Sequence, residues 1–285
     1  MRFYLLMTLL ISFLNHGRAW SYEIESVKVA SYSRPWILVR ASHQGPETVS
    51  EIRLHLHGWT QDPQTGKGFY PQFDFNWPNP YAQPTMTDFQ KFVDGYGIGR
   101  DVDLHPERMV LIPISRGHCD QYRELLNEFD QKYLQVLESF GIDSNQIKLT
   151  QVSAHSGGGD VLSQLLVDSK IRAFSNVDRV VFYDAIYSDQ TRNRLISWLK
   201  LNSSEFSKEL LLPVIYGQSP FLRSRSILTA FPNQEENEMK QIDQLKIMIQ
   251  TKVVFNSSRI RILFENPAAK LLNHWTLVRE LWSFD

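Results

Sequence analysis

The six residues Ala154-His155-Ser156-Gly157-Gly158-Gly159 constrain this chain more than any other stretch. They follow the apolar run Ile147 to Val152, which reads as a strand, and precede an amphipathic run from Asp160 to Lys170. In that run Val161, Leu162, Leu165 and Leu166 recur at helical spacing. The chain must therefore turn from strand to helix within a few residues around Ser156. Such a turn forces the central residue into a strained conformation and tolerates only small neighbours two positions before and after it. Ala154 and Gly158 occupy those positions. A serine presented there stands at the end of a strand, beside the N-terminus of a helix whose free N–H groups and dipole favour a developing negative charge. A phosphate-binding loop would bring a lysine into the same turn, and none is present.

Short apolar strands alternate with amphipathic helices along most of the chain. Val27 to Ala30 and Trp36 to Val39 suggest an opening hairpin. Ile52 to His57, Met109 to Ile114, Ile147 to Val152, Val177 to Tyr183, Leu210 to Tyr216 and Ile260 to Phe264 follow as strands. Helices are expected over 122–140, 160–170, 194–201, 238–250 and 274–282, and a shorter one over 86–93. The fold class expected is α/β, a mostly parallel sheet covered by helices on both faces with an antiparallel hairpin at the N-terminal edge. An apolar share of 42% of the 285 residues supports a substantial core.

The N-terminus reads as a leader. Arg2 supplies a charge, Phe3 to Leu14 is nearly all apolar, and Gly17 and Ala19 place small residues before a cleavage point. Residues 1–19 are expected to be a signal peptide and 20–285 a single domain with a long insertion at about 60–107. The expected location is then periplasmic or extracellular. The leader run is too short for a membrane-spanning helix, and no later stretch is long and apolar enough. Cys119 is the sole cysteine, so no disulfide forms within the chain. Thirty basic residues nearly cancel thirty-one acidic ones, which argues against a nucleic-acid partner held by bulk charge.

Together these features resemble the α/β-hydrolase superfamily over nearly the whole mature chain. The resemblance rests on the elbow around Ser156, on His57-Gly58-Trp59 after an upstream strand, and on His274 after the final strand. It departs from the common pattern by having Ala154 where a glycine is usual. The resemblance implies Ser156 as nucleophile and His274 as general base. Of eight histidines, His274 is the one that follows the nucleophile, as the chain order serine, acid, histidine requires. It implies an oxyanion hole from the N–H groups of Trp59 and Gly157, with His57, Gly58, Ala154, His155 and Gly158 shaping the surroundings. The family's commonest acid position follows the strand Leu210 to Tyr216, where no carboxylate appears before Glu235. Asp184, at the end of the preceding strand, is therefore the expected acid, with Asp189 and Glu235 as reserves.

The implied substrate is a small-molecule or peptide-like ester or amide, and no cofactor is implied. An acyltransferase would use the same residues, and a non-catalytic binding protein of the same fold is the rival class. Arg116 and His118, with Asp120, follow the strand Met109 to Ile114 and are candidates for binding a polar group of the substrate. Within the insertion, residues 63–84 carry five prolines interleaved with aromatic residues; of the aromatic residues, Phe73 and Trp77 are candidates for a wall of the site. His55 and His57 share one face of a strand, but no third ligand adjoins them, so no metal is expected.

Overall fold

The computed structural model describes residues 21–30, 32, 34–42, 49–58, 85–115, 122–168, 170–183, 185–186, 188–201, 209–215, 260–265 and 282. Eight strands form one sheet: β1 (Tyr22–Val27), β2 (Trp36–Ala41), β3 (Glu51–Leu56), β4 (Arg108–Pro113), β5 (Lys148–His155), β6 (Arg179–Tyr183), β7 (Glu209–Ile215) and β8 (Ile260–Glu265). Their order across the sheet is β1-β2-β4-β3-β5-β6-β7-β8. β2 runs antiparallel to both β1 and β4, and every other neighbouring pair is parallel. The sheet is thus mostly parallel with an antiparallel hairpin at its N-terminal edge, as expected from the alternation of strands and helices.

The described helices are α1 (Met86–Gly95), α2 (Ile98–Leu104), the single turn α3 (Arg123–Leu126), α4 (Phe129–Ser139), α5 (Gly158–Val167) and α6 (Asp189–Leu201). No helix among the described residues is long and apolar enough to cross a membrane. Three elements differ from expectation. The hairpin uses Tyr22–Val27 as its first strand rather than Val27 to Ala30. The stretch 122–140 is two helices, because Glu128 adopts a left-handed conformation at φ 58° and breaks the axis. α2 was not foreseen; its Asp101 and Asp103 are buried, so it carries no clean apolar stripe.

The two faces of the sheet have different cores. Side chains alternate across a strand, so Trp36, Leu38, Ile52, Leu54, Leu56, Met109, Leu111, Val152, Ala154, Val180 and Phe182 point to one face and meet residues of α4, α5 and α6. Ile37, Val39, Val110, Ile112, Val181 and Tyr183 point to the other and meet α1, α2 and Trp282. On β3 and β5 the residues alternating with the first set are Arg53, His55, Gln151, Ser153 and His155, all buried. The second face therefore has a polar layer beneath α1 and α2, and buried polar groups need partners there.

Candidate active site

β5 ends at His155 and α5 begins at Gly158, so Ser156 and Gly157 make the whole turn. Ser156 sits at φ 52°. A non-glycine residue there costs about 1–2 kcal/mol, and persists only where the surroundings over-determine it. They do. The Ser156 N–H donates to the carbonyl of Tyr183 at 3.1 Å, extending the β5–β6 ladder past its last pair, His155 with Tyr183. The Ser156 carbonyl accepts from the Gly159 N–H at 3.0 Å.

Steric demand accounts for the small residues. A Cβ on Gly158 would lie 2.3 Å from the Leu56 carbonyl oxygen, and one on Gly159 would lie 1.9 Å from that of Ala185. The elbow helix is pressed against the ends of two neighbouring strands, with no room for a methyl group. Ala154 is fully buried and paired opposite Leu56. Gly58 approaches the serine itself: a Cβ there would meet Ser156 Cβ at 2.5 Å and Ser156 Oγ at 3.2 Å. The backbone at Gly58 therefore lies against the nucleophile's side chain.

His57 holds that backbone in place. Its Nε2 accepts the Ser115 N–H at 3.0 Å, which leaves Nδ1 to carry the proton, donated to the Gly58 carbonyl at 2.7 Å. The imidazole is thus neutral and in one tautomer. Burial pushes its pKa down to about 4, against the upward pull of the Gly58 carbonyl. Phe92 and Tyr122 enclose the ring edge-to-face at centroid distances of 5.4 and 5.8 Å. The Tyr122 hydroxyl donates to the His57 carbonyl at 3.2 Å and to that of Pro113 at 3.3 Å, tying the ends of β3 and β4 together. With both ring nitrogens committed, His57 is an organiser of the turn after β3 and has no nitrogen free to act as a base.

His55 is fully buried, its Nδ1 within hydrogen-bond reach of Ser153 Oγ at 2.9 Å. Burial, with electrostatic coupling to the neighbouring His57 adding to it, lowers its pKa well below the usual range. His155 is fully buried and its Nδ1 bonds the Tyr96 hydroxyl at 3.0 Å. Among the described residues no cluster of three or more His, Cys, Asp or Glu is placed to hold a metal.

The structure brings together Ser156, Gly157, Gly158, Ala154, His155, His57 and Gly58. Trp59, Phe73, Trp77, Arg116, His118, Cys119, Asp120, Asp184, Glu235 and His274 lie outside the described residues. Asp189 is the first residue of α6. Other contributors were not foreseen. Ser115 acts through a backbone N–H, Tyr122 opens a stretch that reads only as a helix, Tyr96 falls beyond the helix expected over 86–93, and Asp160 ties the elbow helix to α6. Asp160 Oδ1 accepts from Arg194 at 2.9 Å and from the Thr191 hydroxyl at 3.1 Å. None of these has a motif; a partner on another element or connection defines each.

A strained serine at the strand-to-helix turn, on an inner strand of a mostly parallel sheet led by an antiparallel hairpin, decides the architecture. The chain has the α/β-hydrolase fold. No protein-family model and no curated protein matches it. Among solved structures it is similar to the feruloyl esterase module from Clostridium thermocellum, at 12% identity, 93% of this chain, 87% of that chain and a TM-score of 0.49. It is also similar to an esterase/lipase from an uncultured bacterium, at 13% identity, 94% of this chain, 85% of that chain and a TM-score of 0.43. Oligopeptidase B from Leishmania major aligns at 9% identity over 93% of this chain and 36% of that chain, with a TM-score of 0.42.

Proposed function

We propose that the chain is an exported serine hydrolase that cleaves an ester or amide bond through an acyl-enzyme on Ser156. The observation that carries the reading is Ser156 at φ 52°, held by two backbone hydrogen bonds and by glycines that approach too closely for any side chain. A strained serine surrounded in this way at a helix N-terminus suits a nucleophile, and packing alone gives no reason for it.

In this reading His274 takes the proton from Ser156 Oγ as it attacks the substrate carbonyl, and Asp184 steadies the imidazolium. The tetrahedral oxyanion receives the N–H groups of Gly157 and Trp59. Gly157 is the N-cap of α5, where helix geometry leaves N–H groups without intrahelical partners. The Gly58 carbonyl is turned toward His57 Nδ1. The tetrahedral adduct collapses as His274 returns the proton to the leaving oxygen or nitrogen. Water then attacks the acyl-enzyme, again losing its proton to His274, and the free acid and Ser156 are regenerated.

Turnover of p-nitrophenyl acetate by the parent, Ser156→Ala and His274→Ala tests this. Both variants should lose activity, by up to ~10⁶ in kcat where such residues act as a unit, while keeping the parent's circular dichroism. Parent-like turnover in either folded variant overturns the assignment.

A further inference from the structure

Trp282 is tied to the sheet face that α1 and α2 cover, opposite the elbow helix α5. Trp282 is almost fully buried, and its Nε1–H donates to Asp101 Oδ2 at 3.1 Å. Asp101, on α2, is itself fully buried and pairs with Arg53 of β3 at 3.5 Å and Arg108 of β4 at 3.3 Å. Side chains from two strands and Trp282 thus converge on one carboxylate of α2. The indole stacks on the Tyr183 ring at 6.0 Å and 22°, and meets the His55 ring edge-on at 4.8 Å and 85°. Both neighbours lead directly to the nucleophile. The Tyr183 carbonyl accepts the Ser156 N–H, and His55 bonds Ser153, three positions before Ser156 on the same strand.

We propose that Trp282 is a positioning residue for the general base, holding the segment that bears His274 in register with Ser156; the proposal rests on the reading of His274 given above. Trp282 follows His274 by eight positions. That is about 12 Å of helix, the form expected for 274–282, and less than about 29 Å of fully extended chain. An apolar side chain in the same pocket fixes depth but tolerates sliding and rotation. The indole N–H adds a directional bond to an immovable partner, because Asp101 is clamped by two guanidinium groups. Rotation or translation of the segment breaks that bond and leaves a buried acceptor short of a donor, which is unfavourable. A base displaced by about 1 Å from its reach of Ser156 Oγ loses on the order of 10²-fold in rate.

The test is Trp282→Phe, which keeps an aromatic ring in the pocket and removes the N–H. It is assayed on p-nitrophenyl acetate below its melting midpoint, in the parent and in a His274→Ala background. With His274 present, kcat is expected to fall tenfold or more while KM stays within about twofold. With His274 absent, the residual rate should not change on adding Trp282→Phe. A parent-like kcat overturns the proposal. So does an equal fall in both backgrounds, which marks general loosening of the fold. Asp101→Asn, similar in size, repeats the comparison from the other side of the bond and serves where Trp282→Phe does not fold. If His274→Ala or Ser156→Ala keeps full activity, the reading of the site fails first and takes this proposal with it; inactive single variants beside an unaffected Trp282→Phe remove this proposal alone.

Discussion

Acidification should destabilise this protein through His57 in particular. In the folded state the ring is buried and neutral, with Nε2 accepting from Ser115 and Nδ1–H donating to Gly58. Protonating it gives Nε2 a hydrogen that faces the Ser115 N–H, so that bond is lost and a charge is buried. The folded pKa is about 4, against 6.5 for the free side chain. Between those values the unfolded chain binds more protons than the folded one, so stability rises with pH there. The contribution of His57 is fully present above about pH 6.5 and is lost as the pH falls toward 4. At 1.36 kcal/mol per unit the full loss is about 3 kcal/mol, of which about 2 kcal/mol is gone by pH 5. Urea unfolding of the parent and of His57→Gln from pH 7.5 to 4.5 isolates the effect, since the other ionisable groups are common to both. The variant should be less stable at neutral pH, and its deficit should shrink by about 2 kcal/mol at pH 5. Parallel stability profiles would refute the neutral, doubly bonded ring.

Gly158→Ala should abolish activity and lower the melting temperature, because its methyl group would sit 2.3 Å from the Leu56 carbonyl oxygen; a soluble variant with parent-like turnover would contradict the packed elbow. Replacing Phe73 or Trp77 by Ala should change the ranking among short and long acyl esters more than it changes stability, if the proline- and aromatic-rich insertion walls the site; lower melting temperatures with an unchanged ranking would assign these residues to the fold instead. N-terminal sequencing of protein purified from its native source should find the chain starting near Trp20, and a retained Met1 in cytosolic protein would overturn export.

The elbow was legible because its requirements are local. A serine between small residues, set after an apolar strand and before an amphipathic helix, needs no distant partner to be recognised, and Ser156 is where that reasoning put it, at φ 52°. The strands were legible for a related reason: alternation on β2, β4 and β6 serves two cores at once, so each run reads as continuously apolar. What escaped was set by contacts across the sheet. α2 hides its Asp101 and Asp103 and shows no apolar stripe, because Asp101 is buried to serve Arg53, Arg108 and Trp282. β1 is an edge strand only partly covered, so its pattern Tyr22–Val27 is too mixed to mark its ends. His55 and His57 invited a metal reading by their spacing; their partners, Ser153 on one side and Ser115 with Gly58 on the other, lie far apart in the chain or in the backbone, where no motif shows them.

The most direct measurement is reaction of the purified protein with a fluorophosphonate, followed by mass mapping of the labelled peptide. An activated serine should take up one equivalent on Ser156, with no labelling of Ser156→Ala and markedly slower labelling of His274→Ala. A folded protein whose Ser156 stays unlabelled would contradict the hydrolase reading and leave a binding protein built on the same fold.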